Sequence, residues 1–228
     1  MPVRSRVSRT LTALLTGRLV AGPRVEDAVR VAGELVSDGR RAALEHVPGP
    51  ADDAEAEFRT LIAEVSAAGL AADCELTLPA ELVRLVPLAA DAGLAVATPV
   101  DLAGATTVVH ADDPAAESRC RALTARRVRL TEGRGSAAGL AFVRCLNVLM
   151  AGDGHPEIAA SDKRLIAITG ERAAWNGRTP DSWEHVMPYG VLTDEQHRLV
   201  AGGYAVRVAV PSGSGAAAVL VRSLGGRA

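Results

Sequence analysis

The sequence predicts an α/β fold of the closed (βα)8 TIM-barrel type, and three observations carry that reading. Hydrophobic spacing alternates along the chain between a helical period and short apolar runs, as when helices interleave with buried parallel strands. Eight such strand-bearing units are found. No Gly-rich dinucleotide fingerprint is present, although pattern alone leaves an open doubly wound sheet as the alternative. The 228 residues suit one undivided barrel, so 1–228 is read as a single domain with residues 1–24 as an N-terminal helical arm.

The elements follow in order. VEDAVRVAGELV, from Val25 to Val36, puts Val25, Ala28, Val29, Ala32 and Leu35 with Val36 on one face, with Glu26 and Asp27 in the first turn, where negative charge suits the helix dipole. The strand RAALEHV leads to the helix AEAEFRTLIAEVSAAG, whose Gly69 suits a left-handed C-terminal cap. Strand CELTLP precedes the helix AELVRLVPLAADAG, and LAVATPV is the third strand. TTVVHA with AAESRCRALTA and RVRLTEG with AAGLAFVRCLNVLMAG complete the fourth and fifth units. PEIAAS, WEHVMPYGV and AVRVAVPS are the last three strands, separated by SDKRLIAITGERAAWNG and DEQHRLVAGG and followed by GAAAVLVRSLGG. VDLAGATT, from Val100 to Thr107, leaves no room for a helix between strands three and four. A parallel crossover normally takes a dozen or more residues, so the barrel is abbreviated there or one strand is misplaced.

Composition narrows the function. Hydrophobic residues at 48% and charged residues at 23% describe a packed globular chain rather than a disordered one. A net charge of -2, with no basic run beyond Arg126, Arg127 and Arg129, argues against a nucleic-acid partner. The LTALL patch near the start is too short for a signal peptide or a membrane span, so no membrane partner and a cytoplasmic location are expected. Cys74, Cys120 and Cys145 are odd in number and in no CxxC arrangement, so neither disulfides nor a zinc site is expected.

Candidate chemistry is sparse. His46, His110 and His185 fall at or inside strand ends, where barrel enzymes place their functional groups, yet none of the five histidines has metal-ligand spacing. Glu45 and His46 offer an orienter and a base. Together with His110 and Glu132 they would make an acid-base or hydrolytic site at the barrel mouth. Ser161 and Asp162 are read either as a nucleophile beside a carboxylate or, more simply, as the cap of the following helix. EGRGSAAG lacks the GKS or GKT of a phosphate loop and is explained by a strand-to-helix turn. Asp112 and Asp113 before Pro114 look like the start of a helix rather than a metal site.

The stretch from Phe142 to Arg178, FVRCLNVLMAGDGHPEIAASDKRLIAITGERAAWNGR, resembles the corresponding segment of actinobacterial proline dehydrogenases. GRLVAGPRVEDAVRVAGELVSDGR, VRLTEG, TPDSWEHVMPYGVLTDEQHRLVAGGYAVRVAVPSG and LVRSLGGR extend the resemblance. It implies a (βα)8 barrel that binds FAD and oxidises L-proline to Δ1-pyrroline-5-carboxylate, with a small amino acid as partner if the chain is active.

Matched position by position, the family's site is degraded here. VRLTEG keeps Arg129, which resembles the flavin-contacting arginine, but places Glu132 at the family's lysine. A carboxylate there opposes the carboxylate of proline. The final helix offers Arg222 followed by Ser223 where the family has an Arg-Arg pair for the substrate carboxylate, a loss of about 2 kcal/mol of charge-assisted binding. Gly226 stands for a glutamate, Ala209 for a tyrosine, Thr77 for a lysine and Pro99 for an aspartate. His110 stands for a flavin-contacting glutamine, and Ser161 replaces the histidine of an HD dipeptide of which Asp162 remains. On this reading the cofactor-contacting positions are Arg129, His110, Ser161 and Asp162, the substrate position is Arg222, and no metal is involved. The expected function is a proline dehydrogenase-like protein with its activity lost or much weakened, serving a binding or regulatory purpose. The alternative is a flavin-dependent oxidoreductase acting on proline or another carboxylate-bearing amine. The residues identify no protein partner.

Overall fold

The computed structural model describes residues 18–135 and 137–225, with only the backbone of 223–225. Eight parallel strands close into a barrel in chain order: β1 (Arg41–His46), β2 (Cys74–Thr77), β3 (Ala95–Thr98), β4 (Thr106–His110), β5 (Arg127–Thr131), β6 (His155–Ala159), β7 (Glu184–Pro188) and β8 (Val206–Ser212). The closing pair runs from Arg41 opposite Arg207 to His46 opposite Ser212. Closure removes the open doubly wound alternative, because both edges of the sheet are paired.

The helices are α1 (Val25–Ser37), α2 (Ala54–Ala67), α3 (Val86–Asp91), α4 (Ala116–Ala122), α5 (Ala138–Ala151), α6 (Lys163–Trp175), α7 (Thr193–Ala201) and α8 (Ala216–Gly225). In α1 the buried face is Val25, Ala28, Val31, Ala32 and Leu35, so Val31 takes the fully buried position expected of Val29. The helix expected after β2 is split into a 3-10 turn, Ala80–Leu85, and α3. Pro87 explains the break, since it has no N-H to donate and its ring crowds the Val83 carbonyl of a continuous helix. Gly69 ends α2 at a φ of +71°, as expected.

Residues 99–105 join β3 to β4 without a helix. The register explains how so short a link suffices. Ala97 lies opposite Thr106 and Thr98 opposite Thr107, so β4 begins level with the end of β3 and the chain need not descend a full strand. Arg126 covers the link through Asp101 and the Leu102 carbonyl, and Arg119 donates to the Pro99 carbonyl at 3.0 Å. The abbreviated barrel and all eight strand assignments therefore hold.

The core lies between the outer face of the strands and the helices. Leu44, Leu76, Leu130 and Ile158 meet Phe58, Leu61, Phe142 and Leu146, all at most 1% exposed. Truncating Phe142 to alanine would cost about 3–5 kcal/mol at such a site. Helix α1 packs against both β1 and β8 and so fills the place in the ring where the helix after β8 would otherwise sit. Helix α8 instead reaches the C-terminal end of the barrel, where Leu220 lines the mouth. Of the predicted arm, residues 1–17 lie outside the described residues. Residues 21 and 22 are tied to the end of β8, with Ala21 N donating to Pro211 O and Gly213 N to Gly22 O.

Candidate functional site at the barrel mouth

Side chains on a strand alternate between its two faces, so every second residue of a barrel strand enters the lumen. Here those residues are largely charged. Arg129 donates to Glu157 Oε2 from Nε at 2.9 Å and from Nη2 at 2.6 Å, and it also pairs with Glu75. Arg127 reaches the other Glu157 oxygen at 3.0 Å, and Thr106 Oγ1 donates to Glu75 at 2.8 Å. A second cluster joins Glu184 to Arg207 at 2.8 Å and to Arg41. Glu75, Glu157 and Glu184 are fully buried, and Arg129 is 2% exposed. Burial alone would raise the Glu157 carboxyl, but the guanidinium groups of Arg129, Arg207 and Arg127 outweigh it and hold the pKa at about 2. Glu184 is likewise lowered: the arginines beside it, Arg207 above all, overcome its burial and the repulsion of Glu157.

Above this network the lumen opens into two adjoining cavities that share Glu132, Ser161 and Pro188. The inner one, about 350 Å³, is walled by Glu45, Thr131, Ala159, Val186 and Ala209, with Arg129 below. The outer one, about 530 Å³, is walled chiefly by Leu19, Tyr189, Val191, Pro211 and Leu220. Burial raises the Glu45 carboxyl above its usual range, against the opposing pull of Arg129 and His110.

Glu132 lies beyond the end of β5 and turns toward the start of α6. It accepts from Ser161 N at 2.5 Å, from Asp162 N at 3.1 Å and from Ser161 Oγ at 3.2 Å. Asp162 caps α6, accepting from Arg164 N at 2.8 Å. The Glu132 carboxylate thus holds backbone donors that precede a helix, where negative charge is favourable. His110 is exposed at the end of β4, its Nδ1 2.7 Å from Thr131 Oγ1. Thr77 lies 3.4 Å from Arg129 Nη1, and Pro99 starts the link after β3.

The structure therefore gathers Arg129, Glu132 and Ser161 around the mouth, with His110 and Asp162 at its rim. Arg222 is exposed on α8, two residues beyond Leu220 and so on nearly the opposite side of that helix. The side chain of Ser223 and all of Gly226 lie outside the described residues.

Glu45 and His46 cannot act as a pair, because adjacent strand residues face opposite ways. Glu45 enters the lumen, whereas His46 turns outward beneath α2. There its Nδ1 is 3.0 Å from Ser212 Oγ and its Nε2 is 2.7 Å from Glu57 Oε2. Ser212, His46 and Glu57 have the connectivity of a hydrolytic triad, but the hydroxyl is the fully buried end and the carboxylate the solvent end. A nucleophile without access performs no hydrolysis. His185 also faces outward, against Trp183 at a ring separation of 4.5 Å, and burial lowers its pKa to about 4. Asp113 accepts from Ala115 N at 2.8 Å ahead of α4, the role expected of it. Among the described residues no group of His, Cys, Asp and Glu is arranged to hold a metal, and no helix is long and apolar enough to cross a membrane.

Sequence reasoning missed the lumen network. Its signal was present: Glu75, Arg127, Arg129, Glu157, Glu184 and Arg207 are charged residues within largely apolar strands, and Arg127 and Arg129 are spaced by two, as residues on one face of a strand are.

This geometry defines an abbreviated (βα)8 barrel with its last helix drawn to the mouth. Solved structures of proline utilization A share the barrel fold. The protein from Bdellovibrio bacteriovorus inactivated by N-propargylglycine superimposes with a TM-score of 0.78 at 13% identity, over 91% of this chain and 32% of that one. The Corynebacterium freiburgense protein gives 0.68 at 13% identity, over 98% and 32%. A Bradyrhizobium japonicum mutant, D779W, gives 0.66 at 16% identity, over 92% and 30%. The chain thus spans about a third of the length of these proteins and shares their barrel fold. No protein-family model and no curated protein matches the sequence.

Proposed function

We propose that this chain is a proline dehydrogenase-like barrel from which the family's flavin-dependent oxidation of proline has been lost or much weakened, leaving a mouth suited to binding rather than turnover. The observation that carries the reading is the commitment of Arg129. Its guanidinium is consumed inside the lumen by Glu75 and Glu157 rather than offered to a ligand above. A group so paired cannot leave its partners without stranding two buried carboxylates.

The mouth does not fit the flavin that the resemblance implies. A pyrophosphate-bearing cofactor calls for cations and free backbone donors at the strand ends. Arg134 brings a cation to the outer wall, but the donors of Ser161 and Asp162 are already taken by Glu132, and Glu45 adds a second carboxyl in the inner cavity. Proline fares no better, because Arg222 is turned from the cavity that Leu220 lines. No catalytic step is therefore assigned to these residues.

The test is proline-dependent reduction of an artificial electron acceptor after incubation with excess FAD. The reading expects no rate above that of a proline-free control. Saturable turnover would establish instead the alternative, a flavin-dependent oxidoreductase on proline or another carboxylate-bearing amine.

A further inference from the structure

We propose that the barrel mouth binds a monocationic amine with an apolar tail, its ammonium held by Glu45 in the inner cavity and its hydrocarbon lying along the outer one. The inference rests on the reading above, in which no flavin fills this space, and names the chemistry the space accepts instead.

The argument starts from the hydrogen bonds of the inner wall. Arg129 is taken by Glu75 and Glu157. Thr131 Oγ1 lies 2.7 Å from His110 Nδ1. Ser161 Oγ donates to Glu132 at 3.2 Å, and Glu132 also holds the backbone donors of Ser161 and Asp162. Glu45 is the exception, because among the described residues no donor hydrogen-bonds to its carboxyl. The strand register explains why. Glu45 lies opposite Pro211 on β8, which has neither an N-H nor a polar side chain to offer. Ala159, Val186 and Ala209, which share the inner wall, add no donor from their side chains.

A carboxyl that faces a cavity without a partner is costly. Arg129 and His110 act on Glu45 from a distance, yet burial still raises its pKa, so the protein alone leaves the carboxylate under-compensated. An ammonium entering the 350 Å³ inner cavity supplies the missing charge-assisted hydrogen bond. A ligand carboxylate or phosphate is refused there, since Glu45 and Glu132 both line the cavity and the Arg129 guanidinium is already paired.

The inner and outer cavities share Glu132, Ser161 and Pro188, so the space is continuous. Outward from that junction the walls are chiefly Leu19, Tyr189, Val191, Pro211 and Leu220, which suit methylene groups. A second ammonium at that end would meet Arg134 and a Glu132 already held by backbone donors. The ligand class is therefore an amine charged at one end only.

Calorimetric titration of the purified chain at neutral pH, without cofactor, tests the proposal with probes of one length: hexylamine, hexanol and hexanoate. Hexylamine should bind saturably at a single site, hexanol weaker by about tenfold or more, and hexanoate without measurable heat. Glu45→Gln, which keeps the shape of the wall, should bring hexylamine down to the affinity of hexanol. Glu132→Gln should leave the preference for the amine in place. Equal affinity for hexylamine and hexanol, tighter binding of hexanoate, or full hexylamine affinity in Glu45→Gln overturns the proposal. Absence of hexylamine binding also overturns it and leaves the loss of proline oxidation standing, whereas stoichiometric uptake of FAD by the parent chain would overturn both.

Discussion

Arg129 and Glu157 face each other across neighbouring strands inside the barrel, Nη2 to Oε2 at 2.6 Å, with neither side chain meaningfully open to water. A buried pair of this kind adds little net stability, because both ions have lost their hydration, but removing one partner is costly. Arg129→Met should therefore destabilise the fold by about 3–5 kcal/mol in urea denaturation. Adding Glu75→Gln and Glu157→Gln should recover most of the loss. If Arg129→Met alone were neutral, the lumen network would not be what holds that residue.

Glu132 is bound to backbone donors ahead of α6, so a lysine in its place removes an acceptor and adds a cation where the helix end is already positive. Glu132→Lys should lower stability by about 1–2 kcal/mol without creating proline turnover. Thermal unfolding and a dye-reduction assay measure the two effects separately.

His185 gives the fold a sensitivity to mild acid. Its pKa is about 4 when folded, because burial disfavours the imidazolium, against about 6.5 when unfolded. Between those values the unfolded chain binds the extra proton. The contribution of His185 is accordingly flat above pH 6.5 and falls toward pH 4 by about 3 kcal/mol. His185→Phe, which keeps an aromatic ring beside Trp183, should abolish the loss in that window. The depressed pKa of Glu157 acts at lower pH, its contribution disappearing as pH falls from about 4.3 to about 2.

Glu45 has the opposite sign. Its folded carboxyl titrates above the unfolded one, so the unfolded chain releases its proton first and stability declines as pH rises through that interval. Glu45→Gln removes the ionisable group from the wall of the mouth. The variant should melt higher than the parent at pH 8, with the difference shrinking at pH 4.

The barrel was legible because its strands and helices announce themselves through local spacing. The strands around Leu44, Leu130 and Val208 and the faces of α1 and α2 required nothing from elsewhere in the chain. The short link before Thr106 was visible as an anomaly, but its resolution lies in the stagger of β4 against β3, a relation between strands that no local pattern encodes. Pro87 was a legible stop that a continuous apolar period concealed. The lumen charges were visible as residues but not as partners, since Arg129 meets Glu75 and Glu157 only after closure. The capping role of Asp162 followed from its place before an apolar run, whereas the turn of Glu132 toward that helix depended on the neighbouring strand. His46 was at the right height in the barrel and on the wrong face, which strand parity relative to Glu45 determines, whereas His185 faces outward near the N-terminal start of β7, level with Val206.

The most direct measurement of the central claim is an anaerobic titration of the purified chain with FAD, followed by visible absorbance and quenching of flavin fluorescence. With Arg129 committed to Glu75 and Glu157, and with carboxyl groups at the mouth, the account predicts no saturable change at micromolar FAD. Stoichiometric uptake with a shifted flavin spectrum would contradict it.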